Sequence, residues 1–434
     1  MIKRILYTLL IMFPVVASAQ INTDRVMAIG RNALYFEDYV LSIQYFNQVI
    51  NAKPYLSDPY FYRGLAKINL DDFQGAESDC SEAIERNPFV VSAYQVRGLA
   101  RIQQNNFAGA IEDYTKALEF DPENIGVWHN MALCRIRQED YKGAKNDLDK
   151  LIAISPRYTK AYLMRGEVDL KQKDTLAAEK DFGKAIEIDR YDADTWASRA
   201  ILRLQQQRYK DAEADFDHAI RLSTRNSGVY INRALARYHQ NNLRGAMSDY
   251  DIALDIDPNN FIGHYNRGLL RAQVGDDNRA IQDFNFVIEM EPDNMMAIFN
   301  RGLLLDQTGD YKGAIKDYST VINEYPNFLL GYQYRAQARR KIGDVKGADA
   351  DEFKVLKAQL DKQNGVDPNK QTADNTENNK TRKKSDKNMN NYRKIVVADN
   401  EEGEEKYKSD YRGRVQDKNV NIVPQPMFVL TYYE

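Results

Sequence analysis

Cysteine is nearly missing: Cys80 and Cys134 are the only two in 434 residues, so the chain has no paired-cysteine metal signature. In the repeat frame derived below they lie on helices two repeats apart. We therefore expect two unpaired, buried thiols, even in a compartment where disulfides form. Histidine is as scarce, and His129, His218, His239 and His264 fall in different repeats and at different helical positions, which argues against a shared metal site. Also absent are a glycine-rich phosphate loop, a nucleophile elbow and a His-Glu-x-x-His helix. Charge of one sign is lacking too: 60 basic residues stand against 63 acidic ones, so nothing global draws the chain to nucleic acid or membrane. No run approaches the ~20 apolar residues of a spanning helix. The expectation is a protein without catalytic residues, metal or cofactor.

The start of the chain has the features of a secretory leader. Lys3 and Arg4 precede an apolar stretch from Ile5 to Val16, and Ala17-Ser18-Ala19 forms a small-x-small cleavage site before Gln20. Residues 1–19 read as a signal peptide. With no cysteine near that site for lipidation, the expected location is the periplasm.

The strongest signal is internal repetition. A shift of 34 residues aligns Gly30, Gly64, Gly98, Ala132, Gly166, Ala200, Ala234, Gly268, Gly302 and Ala336 without an insertion. Twelve residues later a second small row runs from Ser42 and Ala76 to Ala314 and Ala348. Small residues at fixed offsets on neighbouring helices let two backbones approach closely. Pro54, Pro88, Pro122, Pro156, Pro258, Pro292 and Pro326 end the second helix of a unit, and Gly275, Gly309 and Gly343 occupy the turn between helices, where a left-handed cap is expected. Each unit thus predicts two helices of three to four turns, unstable alone but able to bury apolar faces against neighbours.

An aromatic row, Tyr60, Tyr94, Trp128, Tyr162, Trp196, Tyr230 and Tyr332, falls near the start of the first helix. With the small and proline rows, from about Val26 to Leu360, the chain resembles the tetratricopeptide repeat family. The resemblance implies an all-α fold, a right-handed superhelical solenoid of about ten 34-residue helix–turn–helix repeats over residues 20–360. It also implies an inner face lined by first helices and a partner-binding role.

The chain departs from the usual family pattern in its charges. A mid-helix row usually apolar in the family reads Arg63, Arg97, Arg165, Arg199, Arg233, Arg267, Arg301 and Arg335, with Ile29 and Met131 in repeats 1 and 4. Sixteen residues later stand Asp79, Asp113, Asp147, Asp181, Asp215, Asp249, Asp283, Asp317 and Asp351, with Tyr45 in repeat 1. In a hairpin turning midway these rows face one another, and they change together. They read as an Arg–Asp ladder inside each unit; pairing to the adjacent repeat, eighteen residues away, is the competing geometry. A second basic row, Lys67, Arg101, Arg135, Arg203, Arg237, Arg271 and Arg339, shares the helix face, so one aspartate can bridge two cations, and Arg135 is the available partner for Asp147. The rival reading is a cationic stripe for an acidic polymer.

The family's carboxylate-gripping lysine and asparagine clamp is missing from the inner face. Candidate groove residues there are Phe61, His129, Leu163, Ile231, Tyr265 and Phe299, with Asn130, Asn232, Asn266 and Asn300 beside them. The amides suit the backbone of an extended peptide, above all at repeats 7 to 9. The plainer alternative is that neighbouring leucines (Leu65 to Leu303) pack between repeats and the asparagines face water.

After Leu360 the composition shifts to Asn, Lys, Asp and Thr, with a basic run at Lys380–Lys384 and an acidic one at Glu401–Glu405. Residues 361–419 read as a disordered, charged linker. Residues 420–434 are apolar and strand-like, which fits a strand added to a partner's sheet, docking on the solenoid, or truncation before a further domain. The function expected is a periplasmic scaffold or adaptor that binds a protein or extended peptide, in an envelope or secretion complex and without a membrane span. The alternative is a binder of an anionic envelope polymer such as lipopolysaccharide or peptidoglycan.

Overall fold

The computed structural model describes residues 22–222, 225–363 and 389–398. The expected leader at 1–19 and the apolar segment at 420–434 lie outside the described residues. Among those residues the fold is all-α, with twenty α-helices arranged as ten hairpins.

The chain divides after Asp181 into two compact units. The first holds α1 (Thr23–Tyr35), α2 (Tyr39–Ala52), α3 (Asp58–Ile68), α4 (Phe73–Arg86), α5 (Val91–Gln103), α6 (Phe107–Phe120), α7 (Ile125–Arg137), α8 (Tyr141–Ile154), α9 (Thr159–Lys171) and the start of α10 (Thr175–Ile188). The second holds the rest of α10, then α11 (Ala193–Gln205), α12 (Tyr209–Arg221), α13 (Ser227–His239), α14 (Leu243–Ile256), α15 (Phe261–Gln273), α16 (Asp277–Met290), α17 (Met295–Thr308), α18 (Tyr311–Glu324), α19 (Leu329–Lys341) and α20 (Val345–Gln363).

Local chemistry sets many of the helix boundaries. The residue before each repeat proline, from Lys53 to Tyr325, leaves helical geometry with ψ between 74° and 97°. Proline's ring disfavours the helical region for the residue before it, and this ends the second helix. At the turn between helices the same position is left-handed in all ten repeats. It is glycine at 275, 309 and 343, with φ of 81–94°, and Glu37, Asp71, Asn105, Glu139, Lys173, Gln207 and Asn241 elsewhere, with φ of 59–66°. The next residue caps the second helix: Asp38, Asp72, Asn106, Asp140, Asn242 and Asp310 each accept the backbone N–H three residues on.

The small rows seat the helices. A methyl group at Gly98 would lie 2.7 Å from the Tyr114 ring, and one at Gly30 2.7 Å from Phe46. Ala76, Ala110, Ala144, Ala212, Ala246 and Ala280 are all fully buried. Cys80 and Cys134 are free and buried, as expected; burial pushes the Cys80 thiol well above its usual range and Cys134 up to about 12.

Candidate functional site

The charge rows form pairs within each repeat. Arg63, Arg97, Arg165, Arg199, Arg233, Arg267, Arg301 and Arg335 each donate from Nε and Nη2 to the aspartate sixteen residues on, mostly at 2.6–3.2 Å. The aspartates are almost fully enclosed while the arginines are 11–22% exposed. The remaining guanidinium nitrogen reaches the preceding repeat through a row the sequence reading missed. Nη1 of Arg63, Arg97, Arg233 and Arg301 donates to Asn47, Ser81, Asp217 and Asn285, each sixteen residues upstream. One arginine thus ties its own hairpin and the one before it. It also lies over the aromatic three residues earlier, Arg199 5.0 Å from the Trp196 ring centroid and Arg233 5.7 Å from Tyr230.

The second basic row shares the same aspartates: Lys67, Arg203, Arg271 and Arg339 lie 2.7–2.9 Å from Asp79, Asp215, Asp283 and Asp351. Arg101 and Arg237 additionally hold Glu77 and Glu213 of the preceding repeat. In repeat 5 that last pair is reversed in sign, with Lys145 bound to Asp169. Burial pushes Asp113, Asp249 and Asp317 upward against the pull of their arginines, and all three sit above the usual carboxylate value. At Asp283 burial acts the same way, but His264, Arg267 and Arg271 together outweigh it and the pKa is lowered. Repeat 4, with Met131 in place of arginine, leaves Asp147 only Arg135, 2.7 Å away from Nε and off the hydrogen-bonding axis. Burial then dominates and raises Asp147 to about 6.

The groove at repeats 7 to 9 is occupied. Residues 389–398, which composition assigns to the linker, run against α13, α15 and α17. Asn266 grips one residue by both backbone groups: its Nδ2 donates to the Val396 carbonyl at 2.7 Å and its Oδ1 accepts the Val396 N–H at 2.8 Å. Asn232 does the same to Ala398, at 2.9 and 3.0 Å. Asn300 Nδ2 and the Tyr265 hydroxyl both donate to the Tyr392 carbonyl, at 2.6 and 2.7 Å. As residue number rises from 392 to 398, the partners step back from repeat 9 to repeat 7, so the segment runs opposite to the repeats. The step from Asn266 to Asn232 advances the segment by two residues, the period at which an extended chain presents the same face. From Asn300 to Asn266 the segment advances by four residues, and the chain turns at 392–393 within that step.

Side chains add packing to this backbone grip. The Tyr392 ring meets Phe299 edge-on, 4.8 Å between centroids, and Met389 is buried in the cluster around Phe299 and Tyr265. Ala398 is buried with Ile231, Ala234, Tyr250 and Leu270, and Ile395 packs on the cluster of Ala197, Leu204 and Leu235. A cavity of about 360 Å³ remains beside Arg393 and Ile395, bordered by Leu269, Leu303, Leu304 and Gln273.

Of the candidate groove residues, the structure brings together Ile231, Asn232, Tyr265, Asn266, Phe299 and Asn300. Phe61, His129, Asn130 and Leu163 belong to the first unit, where His129 meets the Tyr158 hydroxyl at 3.3 Å. The asparagines do not face water: Asn232 and Asn266 are fully buried, and Asn300 nearly so. Leu65, Leu99, Leu133 and Leu235 are buried in the helical stack. The expectation of a disordered linker over 361–419 is corrected at 361–363, which continue α20, and at 389–398. Composition averages Tyr392, Ile395, Val396 and Ala398 into their polar surroundings, and the apolar surface that orders them belongs to the groove. No cluster of metal-ligating side chains is present among the described residues.

Comparison with known proteins agrees with this architecture. Residues 125–158, 159–192, 198–261 and 265–327 match tetratricopeptide repeat family models, and 98–134 matches a TPR repeat model. No curated protein matches the chain. Among solved structures, a tetratricopeptide repeat protein from Parabacteroides merdae is 21% identical, covering 57% of this chain and 98% of its own, with a TM-score of 0.45. The C-terminal part of a TPR repeat-containing protein from Cytophaga hutchinsonii is 18% identical over 55% of this chain and 97% of its own, with a TM-score of 0.46. YrrB, described as a TPR protein with an unusual peptide-binding site, is 18% identical over 42% of this chain and 95% of its own, with a TM-score of 0.39. With its repeated hairpins, its small, aromatic and proline rows and the family-model matches, the chain belongs to the tetratricopeptide repeat family.

Proposed function

We propose that this protein is a non-catalytic scaffold that holds an extended segment of a protein partner in the groove of repeats 7 to 9. The observation that carries the reading is the asparagine row: two buried amides each satisfy both backbone groups of one residue of an extended chain. A buried amide without partners costs about 1–3 kcal/mol, so such a row suits a groove that is filled when it works. Backbone recognition sets the path of the ligand, and the pockets at Phe299 and Ile231 set its side chains. The leader-like residues 1–19 support action in the periplasm, within an envelope or secretion complex.

The alternative of an anionic envelope polymer relies on the basic rows, whose arginines are already engaged with buried aspartates. Recovery of periplasmic partners by the full chain, at low and high salt, tests the choice. Protein partners retained at high salt and lost with Tyr265→Ala/Asn266→Ala support the groove. Recovery that this pair of substitutions leaves unchanged contradicts it, and salt-labile recovery of glycan or lipid moves the function to the basic residues.

A further inference from the structure

We propose that residues 389–398 are a built-in occupant of the groove, and that the partner is an extended segment of the same pattern carrying a larger apolar side chain in place of Ile395. This rests on the groove reading above and names its ligand and its control. The occupant supplies the pattern: an aromatic at Tyr392, aliphatics at Ile395 and Val396, and a small residue at Ala398, whose side chain is enclosed by Ile231, Ala234, Tyr250 and Leu270. It enters against the repeat order and donates its Val396 and Ala398 N–H groups to the Asn266 and Asn232 carbonyls. Both ends of the contact belong to one chain, so docking is intramolecular, and linked ligands act at effective concentrations of order millimolar. A partner of equal intrinsic affinity cannot compete at ordinary concentrations. It needs a contact the occupant does not make.

The cavity provides one. The occupant leaves about 360 Å³ open beside Ile395, lined by Leu269, Leu303 and Leu304 and also by the polar Tyr238, Gln273 and Gln307. A phenylalanine at the Ile395 position can cover the Leu269, Leu303 and Leu304 part of that lining, and its added buried surface favours a foreign segment over the resident one.

The test uses the full chain and two fluorescent peptides, one with the sequence of residues 387–400 and one with Ile395→Phe, followed by anisotropy. Val396→Pro/Ala398→Pro in the protein removes the two donated N–H groups of the occupant and leaves the groove residues untouched. The peptides are expected to bind this variant at least tenfold more tightly than the wild type, the phenylalanine peptide severalfold better than the native one, and to lose binding when Asn232→Ala/Asn266→Ala is added. Equal binding to wild type and variant overturns the built-in occupant while the groove reading stands. A phenylalanine peptide no tighter than the native one overturns the assignment of the cavity. No binding to either protein removes the groove reading itself, and the inference with it.

Discussion

At the scale of single residues, the Arg–Asp ladder is an enclosed polar system in which each partner is costly to remove. Asp215 accepts from Arg199 at 2.8 Å and from Arg203 at 2.7 Å and is 3% exposed. Asp215→Ala removes the buried anion that both guanidinium groups share, and we expect a loss of about 3–5 kcal/mol, read as a lower urea midpoint; an unchanged midpoint would contradict the ladder's structural role. Repeat 4 offers the converse test. Asp147 titrates near 6 in the folded protein against an ordinary 3.8, so the fold holds that proton more tightly than the unfolded chain does. Its contribution to stability is therefore greatest below about pH 4 and is lost as pH rises through 6. Met131→Arg restores the missing guanidinium, and carboxyl NMR titration should show Asp147 moving down from about 6. The ladder was legible because both rows change together within one chain, apolar in repeat 1 and charged in eight later repeats. The arginine's third contact was not: Asn47, Ser81, Asp217 and Asn285 share a position and an acceptor oxygen but not a single residue type.

At the scale of elements, the hairpin turn imposes one backbone requirement on ten different sequences. Lys173 and Gln207 sit at φ of 66° and 61°, where a non-glycine residue is strained by roughly 1–2 kcal/mol. Glycine relieves that strain and gives back part of it as chain entropy. Lys173→Gly and Gln207→Gly are each expected to raise stability by about 0.5–1 kcal/mol in chemical denaturation; a loss would mean that the side chains, and not the turn, stabilise these positions. The helix ends were legible at the prolines, whose effect on the preceding residue is local. The left-handed turn was legible only where glycine marks it. In the other seven repeats the same conformation is carried by Glu, Asp, Asn, Lys and Gln, which announce nothing by type.

At the scale of the whole chain, periodicity reveals what repeats in residue type and nothing that occurs once. Ten hairpins could be read from a 34-residue spacing, and the asparagine row could be singled out as a groove lining. The occupant could not, because its relation to Asn232 spans 166 residues and has no counterpart elsewhere. Since the groove's polar contacts to the segment are uncharged amides and a tyrosine hydroxyl, segment docking should change little between low and high salt. The most direct measurement is amide hydrogen exchange on the full chain. The account predicts that the Val396 and Ala398 amides are protected in the wild type and exchange freely in Asn232→Ala/Asn266→Ala. Exchange of those two amides at the rate of a free peptide in the wild type would contradict it.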